Sequence, residues 1–324
     1  MKSPGEVISF MNEEFRCLKR SDLISALTNN LPLDTIRFGC QTVALNLDPQ
    51  TSHSIVHLHD GTMIKAEVVI GCDGVNSVLA DWLGLKTARQ LPLCAVRGFT
   101  NYPNGHGFSN EFVRMRRNHS ALGITPVDDK LVHWYVPRLW TPQDLRISKE
   151  AKLIRDSTVE SIREDYPADM IEMIRNCDLE SLSLQRLRYR PPWEILLGNF
   201  SKGTVTVAGD AMHVMGPFVG QGGSSALEDA VVLARCLGRE IGGSSSSKRE
   251  EEVEVIIQAK RVRKAFDQYI KERTMRILRL STESYLTGLL MQSSFSVMKF
   301  MILMLLLILF PNFFSHTRYD CGLL

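Results

Sequence analysis

One stretch of the chain, Gly209 to Leu237, combines residue types whose spacing suits binding of an anionic cofactor. A β-branched run at 204–207 precedes it and predicts a buried strand. Asp210 stands just past the end of that strand, and a glycine-rich turn at 220–223 leads into a run with helical periodicity. Glycine lets a backbone approach a ligand closely, and free N–H groups at a helix start point at negative charge. The layout therefore predicts a phosphate- or cofactor-handling site.

The alternative is an ordinary strand–loop–helix crossover, in which Asp210 caps a helix and the glycines only form a turn. His213, Pro217 and Gln221 stand at fixed places in the same stretch, and this order of residues favours the binding site. The helical periodicity predicts one apolar face on the helix that follows, formed by Leu227, Ala230, Ala234 and Leu237.

The order GD-A-x-H-x-x-x-P-x-x-GQGG, followed by ALEDAVVLAR, resembles the second flavin motif of the FAD-dependent aromatic hydroxylases. These are the para-hydroxybenzoate hydroxylase-like monooxygenases, and the plant members match most closely. The resemblance implies that Asp210, after Gly209, hydrogen-bonds a ribityl or ribose hydroxyl of FAD and that Pro217 lines the isoalloxazine ring. It also implies that the backbone of Gly220, Gln221, Gly222 and Gly223 meets the pyrimidine end of the flavin. A helix start there suits an anionic reduced flavin.

A second match lies at Val68 to Gly84, where an apolar run ends in Asp73-Gly74 and Ser77 follows. The middle motif of the family has this form, and its aspartate is associated with FAD and with the pyrophosphate of the nicotinamide cofactor. Ala80 stands where the family often places an arginine. A plain Asp-Gly turn after a strand is the alternative.

The third match is weaker and covers Phe15 to Pro32. Ser21 is predicted to cap a short helix whose apolar face is formed by Leu23, Ile24 and Leu27. Arg20 precedes that helix, where the family often places an arginine that contacts the FAD phosphates or ribose. A solvated arginine beside Lys19 is equally compatible with the spacing.

The family opens with a strand, G-x-G-x-x-G and a helix that holds the adenosine half of the cofactor. No such fingerprint precedes Asp73, and the nearest pattern, Gly105-His106-Gly107, does not open a helix. By this comparison the chain starts about a quarter of the way into the family pattern, and we expect weak FAD binding. The alternative to an enzyme is a catalytically inactive, truncated isoform or pseudoenzyme that acts by association. An isomerase or epoxidase on the same scaffold is a third candidate.

The resemblance thus implies an α/β fold, α+β in part, with an N-terminally incomplete three-layer FAD/NAD(P)-binding domain and a β-sheet substrate domain. Changes in the sequence pattern along the chain place flavin-binding parts at 1–90 and 191–240 and the sheet domain at 91–190. A linker, an amphipathic helix and an apolar tail follow at 241–324. Aromatic residues of the middle segment are expected to pack mainly in its core: Phe99, Tyr102, Phe108, Phe112, Trp134 and Tyr135. In the flavin-binding parts NAD(P)H would reduce FAD, and O2 would hydroxylate a small organic substrate. No catalytic residue is nominated, and His213 is expected to have a hydrogen-bonding role.

Charge and cysteine content narrow the classes of partner and compartment. The net charge of +2 over 324 residues gives no indication of nucleic-acid binding. The seven dispersed cysteines indicate reduced, mostly buried thiols in an intracellular compartment, cytoplasmic or organellar. His57 and His59 are expected on the polar side of a hairpin turned at Asp60-Gly61, and no metal site is predicted.

Three segments outside the motifs carry further expectations. Residues 181–196 are predicted to be extended, with Arg186, Arg188 and Arg190 on one face of an exposed edge strand. An anion-binding stripe formed by these arginines is the alternative. The glycine- and serine-rich run at 242–247 is predicted to be a polar surface loop, followed by an amphipathic helix with a solvated basic face. Residues 300–310 form an unbroken apolar run, for which we expect a buried or interfacial helix. Membrane association through 297–314 as a tail anchor is the alternative, and the oligomeric state stays open.

Overall fold

The structure is a computed structural model that describes residues 17–48, 53–117, 120–242, 251–293, 295–311, 317 and 319–322. It divides into two compact units, each discontinuous in sequence. Of the described residues, one unit contains 17–36 and 90–187, and the other contains 37–89 and those from 188 onward. Residues 17–36 therefore group with the middle segment, whereas the sequence analysis assigned 1–90 to the flavin-binding part.

The strands of the described residues are, in chain order, β1 Thr42–Leu47, β2 Ser54–Leu58, β3 Met63–Ala66, β4 Val69–Gly71, β5 Arg89–Asn101, β6 Val113–Arg117, β7 Ser120–Pro126, β8 Leu131–Leu139, β9 Ser183–Tyr189, β10 Ser201–Lys202 and β11 Val205–Val207. The α-helices are α1 Arg20–Thr28, α2 Val78–Trp82, α3 Asp144–Ile147, α4 Ala151–Ile162, α5 Ala168–Arg175, α6 Pro192–Leu197, α7 Asp210–His213, α8 Gly222–Ile241, α9 Glu251–Gln292 and α10 Ser296–Leu309. Short 3-10 turns cover Gly74–Asn76, Leu179–Ser181 and Pro217–Val219.

The unit that carries both glycine motifs contains two three-stranded sheets. Strands β1, β2 and β3 form an antiparallel meander that includes the expected hairpin at Asp60-Gly61. The second sheet has the order β10-β11-β4, in which β11 and β4 run parallel. All three residues of β11 are fully buried because helices α2, α8 and α9 contribute side chains to one apolar core around this sheet.

The other unit is built on a five-stranded sheet with the order β6-β7-β8-β5-β9. Strands β6 to β8 and β5 pair antiparallel, and helices α4 and α5 supply apolar side chains to its core. Trp134 on β8 is fully buried, and its indole Nε1 donates to Thr100 Oγ1 at 3.0 Å. This is the sheet-based domain that the family resemblance implied, and α4 and α5 form a helix pair between 149 and 176.

Several local expectations are corrected by the structure. Helix α1 begins at Arg20 with Lys19 as its N-cap, and the Ser21 hydroxyl donates to Asp22 instead of capping the helix. The extended prediction for 181–196 fails after Tyr189, because Pro192 occupies the first position of α6, where a proline favours a helix start. Of the seven cysteines, all described and all free, only Cys94, Cys177 and Cys236 are buried.

One expectation about a helix face and one about an edge strand are also wrong. Helix α8 buries Ser225, Asp229, Val232, Leu233 and Cys236, whereas Leu227 and the two alanines of the predicted face are exposed. Most basic residues of helix α9 are exposed, as expected, but Arg273 is fully buried one turn after Tyr269, on the apolar face. Strand β9 does lie at the sheet edge, but Arg190 just beyond it is only 4% exposed. Residues 243–250 and 312–316, parts of the predicted loop and tail, lie outside the described residues.

Candidate functional site

The two aspartate motifs lie at the same edge of one sheet. In the parallel pair of β4 and β11, Val207 lies opposite Gly71, and the Ala208 amide donates to the Gly71 carbonyl at 3.0 Å. Asp73 and Asp210 come directly after these neighbouring strand ends. In open α/β sheets the crevice outside the carboxyl ends of the strands is where ligands bind. The structure thus brings together two motifs that are more than a hundred residues apart in sequence.

A strained glycine at the end of β11 presents Asp210. Gly209 has φ 61° and ψ −143°, a backbone conformation that other residues rarely adopt. A Cβ atom there would also lie 3.5 Å from the Ala226 Cβ of helix α8. Asp210 then opens α7 with an exposed side chain, and we find no side-chain hydrogen bond to it from the described residues. Its carboxylate is therefore available to a ligand hydroxyl.

In the motif at Val68 to Gly84, the aspartate has a partly structural role. The Asp73 Oδ2 atom accepts the Val78 amide at 2.8 Å, and the Ser77 Oγ atom accepts the Ala80 amide at 2.8 Å, so both side chains hold the start of α2. Gly74 has φ +80°. Asp73 is nevertheless exposed, which makes this residue both a turn former and a surface carboxylate at the strand end. The Asp-Gly turn alternative accordingly describes part of its role.

The glycine-rich turn exposes the amino end of a long helix. Gly220 is exposed and left-handed with φ +67°, and Gln221 is the N-cap residue of the 20-residue helix α8. The first helical hydrogen bond there joins the Ser225 amide to the Gln221 carbonyl at 2.9 Å. The three amides at 222–224 precede it and have no acceptor within the helix. A Cβ atom at Gly222 or Gly223 would meet nothing within 4 Å, so open space borders these amides. This end of the helix can receive a ligand that carries negative charge.

A buried carboxylate on α8 fixes the turn that presents Asp210. The Asp229 Oδ2 atom accepts the Gly209 amide at 2.9 Å and the Nε2–H of His213 at 2.6 Å. Its Oδ1 atom accepts the Nε–H of Arg273, on α9, at 2.7 Å. The side chains of Asp229, His213 and Arg273 are all fully buried. Asp229 thus joins the strand end, α7, α8 and α9 through one side chain.

The buried carboxylate and guanidinium of this network are each paired with an opposite charge. Burial by itself raises the pKa of Asp229, but hydrogen bonding to His213 and the charges of His213 and Arg273 outweigh it, and the pKa lies below its usual value. Arg273 also contacts Glu228 at 2.7 Å and donates to the Ser225 carbonyl at 3.1 Å. A buried charge is tolerated where it is paired and hydrogen-bonded in this way. The network therefore stabilises one arrangement of the turn.

A second buried arginine lies beneath α7. The Arg190 guanidinium donates from Nη1 to the Lys86 carbonyl at 2.7 Å and from Nη2 to the Ala211 carbonyl at 3.5 Å. Burial lowers its pKa from the ordinary arginine value. Helix α9 holds the loop before the glycine turn, because Ser284 Oγ donates to the Gly216 carbonyl at 2.8 Å. Buried groups thus hold both α7, through Arg190, and Gly216 at the start of the glycine loop, through Ser284.

The residues named from the sequence form the surface of the candidate site, and the buried residues that hold them were missed. Every candidate from Asp73 to Gly223 lies in the unit described above, whereas Arg20 opens α1 in the other unit. Its contact with FAD stays a prediction. The missed residues are Asp229, Arg273 and Arg190. The spacing of Ser225 and Asp229, one helical turn apart, was an available indication of a polar strip on α8.

No group of histidine, cysteine, aspartate and glutamate that could hold a metal ion occurs among the described residues. Within the same part of the chain, no helix is long and apolar enough to cross a membrane.

Comparison with known proteins identifies the family of the chain. A family model described as an FAD binding domain matches residues 20–254. The chain is 46% identical to Monooxygenase 1 of Arabidopsis thaliana over 318 residues, which cover 98% of this chain and 78% of that protein.

Solved structures share the fold. The chain superposes on Klebsiella pneumoniae HpxO complexed with FAD and uric acid with a TM-score of 0.70 and 16% identity, covering 94% of this chain and 73% of that one. A salicylate hydroxylase substrate complex gives a TM-score of 0.63 at 19% identity, again covering 94% and 73%. At these identities the structural likeness concerns the fold, which is the mixed helix-and-sheet fold that the resemblance implied.

Proposed function

Because the chain belongs to the FAD binding domain family of FAD-dependent monooxygenases, we propose that it hydroxylates a small organic substrate with O2 and a reduced nicotinamide cofactor. The balanced reaction consumes one NAD(P)H, one proton, one O2 and one substrate C–H, and yields NAD(P)+, water and the hydroxylated product. FAD, when bound, accepts the hydride and activates the oxygen.

The observation that carries this proposal is that one unit contains three features suited to binding FAD. Asp210 and Asp73 are exposed carboxylates that follow the ends of two neighbouring strands. The amides at the start of α8, which have no acceptor within the helix, follow the glycine turn. Space beside Gly222 and Gly223 is open, as a planar ring system needs. The residues present therefore fit a group with hydroxyls and a flat edge that gains negative charge.

Each residue of the site has a task in this proposal. Asp210 accepts a hydroxyl of the ribityl or ribose part of FAD, and Pro217 walls the ring. The amides from Gly220 to Gly223 stabilise negative charge at the pyrimidine end, aided by the positive end of the α8 dipole. Asp73 and Gly74 are proposed to contact FAD and the pyrophosphate of the nicotinamide cofactor. No side chain is assigned as an acid or base catalyst.

The substrate class is proposed from the chemistry of related proteins. The compounds named for the structural relatives, uric acid and salicylate, are small, planar and electron-rich. We infer a substrate of that chemical class, an aromatic or heteroaromatic ring that an electrophilic oxygen attacks. The protein must then position the ring and keep water from the activated oxygen.

The test is to purify the full chain and measure bound flavin by its absorbance, followed by oxidation of NADPH and NADH in air. A panel of hydroxylated aromatic and heteroaromatic acids is then added under labelled O2. The proposal expects one bound flavin per chain once FAD is supplied in excess, faster NAD(P)H oxidation with one substrate class, and a product that contains one labelled oxygen atom. Flavin without any such product would contradict the hydroxylase assignment.

One observation favours the alternative, an inactive form that acts by association. Ala80, where the family often has an arginine, is 5% exposed within the apolar core, so its side chain supplies no charge to a nucleotide. In that case the purified chain contains no flavin and does not take it up from solution. The same absorbance measurement distinguishes the two functions.

A further inference from the structure

Helix α10 exposes apolar side chains that the described part of the protein does not cover. Its sequence, SVMKFMILMLLLIL, contains one charged residue, Lys299. Met301 is 65% exposed and Ile308 is 69% exposed, and no residue of the helix is buried. The helix packs against α9, yet an apolar surface of this kind is costly in water.

The exposed apolar positions surround most of the helix. Only Ile302 and Leu306, one turn apart, are partly buried among the apolar residues of α10. At 3.6 residues per turn the exposed positions span an arc of about 240°. The apolar stripe that a helix usually buries against a protein surface is much narrower, about 100° wide. A protein groove or a second copy of this helix would therefore leave much of the apolar arc in water.

Length and charge indicate how such a helix is covered. Fourteen residues extend about 21 Å, less than the roughly 30 Å of a bilayer hydrocarbon core. Residues 284–319 contain no aspartate or glutamate, whereas Lys299 and Arg318 are basic. At the other end of α10 the exposed Arg279 has its guanidinium carbon 5.8 Å from the Phe310 ring centroid. Cations at both ends of an apolar helix complement an anionic lipid surface.

From this arrangement we propose that α10 inserts into one leaflet of a membrane and anchors the protein to an anionic lipid surface without crossing it. Lipid chains cover the whole exposed arc, and Lys299 and Arg279 remain at the level of the headgroups. This proposal goes beyond the proposed oxygenase function and does not depend on it.

The experiment is co-sedimentation of the full chain with vesicles of phosphatidylcholine alone and of phosphatidylcholine with phosphatidylserine. The test variant is Met301→Glu with Ile308→Glu, at the centre of the exposed arc. The matched control is Met63→Glu with Met275→Glu, because both methionines are 66% exposed but lie outside α10. Circular dichroism establishes that both variants fold, and sedimentation without lipid gives the oligomeric state.

We expect the parent and the control to bind, with more binding to the phosphatidylserine vesicles, and the test variant to bind at least about tenfold less because its carboxylates resist burial in lipid. Lys299→Glu should remove the preference for phosphatidylserine. Equal binding by the test variant and the control would overturn the proposal. A dimeric parent that binds no vesicles, with a monomeric test variant, would also overturn it and assign the surface to a second copy of this chain.

Discussion

The Nε2 atom of His213 lies 2.6 Å from Oδ2 of Asp229, and the same oxygen accepts the amide of Gly209 at 2.9 Å. The residue that shapes the strand end and the residue that ends α7 are therefore tied to one buried carboxylate on α8. Three donors converge on Asp229, since Arg273 completes the set. The exposed Asp210 owes its position to this hidden group.

The first prediction is that Asp229→Ala lowers the free energy of unfolding by about 3–5 kcal/mol, because it leaves buried donors and the Arg273 charge without their partner. Asp229→Asn should also destabilise, since the amide group of Asn would face donors. Urea unfolding followed by circular dichroism measures both.

The matched control for Asp229 is Glu240→Ala. Glu240 lies on the same helix and pairs with Lys264 of α9 at 3.0 Å, but that lysine is largely exposed. We expect a much smaller cost than for Asp229→Ala, because pairs with a solvent-exposed partner contribute little. If Asp229→Ala cost no more than this control, the network would have no special role in holding the turn.

The second prediction concerns the exposed carboxylate of Asp210. Asp210→Ala should reduce flavin occupancy at limiting FAD, because a charge-assisted hydrogen bond worth about 1.5–3 kcal/mol is lost. Stability should be unchanged, since the side chain is exposed and we find no partner for it among the described residues. Flavin absorbance per folded chain is the measurement, with Asp267→Ala, another exposed aspartate, as control. Equal flavin content in the Asp210 variant and the parent would remove Asp210 from the site.

The third prediction uses two glycines of one helix. A Cβ atom at Gly222 or at Gly238 meets nothing within 4 Å, so valine at either position should leave the fold intact. Gly222→Val should abolish flavin binding because its side chain fills the space beside the free amides, whereas Gly238→Val, near the other end of α8, should not. Flavin titration monitored by fluorescence compares them. Global unfolding of the Gly222 variant would indicate a structural turn instead of a binding surface.

The sequence predicted the exposed half of this site because strand ends, glycine turns and helix starts are local features. The parallel strands that carry Asp73 and Asp210, the start of α8 and the glycine turn all follow from short patterns around each residue. The family assignment rested on the same residues, and the family model confirmed it.

The supporting half of the site depends on contacts between distant segments. An apolar pattern predicted the face of α8 with Leu227, yet the buried face contains Ser225 and Asp229 because Arg273, 44 residues later, satisfies both. Arg190 is buried for the same kind of reason, since its partners are backbone carbonyls of α7 and of Lys86. Periodicity counts apolar residues and contains no information about a polar partner elsewhere in the chain.

The last prediction concerns acid stability of the five-stranded sheet. Burial, with a smaller contribution from the charge of Arg97, lowers the pKa of His133 from 6.5 to about 4. Between these values the unfolded chain binds a proton that the folded chain does not, so stability rises with pH there. As the pH falls from about 6.5 to about 4, the parent should therefore lose up to about 3 kcal/mol of stability on account of this group. His133→Gln should lose correspondingly less stability over that interval, measured by urea unfolding at each pH.

Phe99→Leu is the control, because the Phe99 ring lies 5.2 Å from the His133 ring and its loss changes packing without removing the titrating group. That variant should be less stable at every pH and should keep the slope of the parent. A His133→Gln variant that follows the same pH slope as the parent would show that another group governs the acid limb.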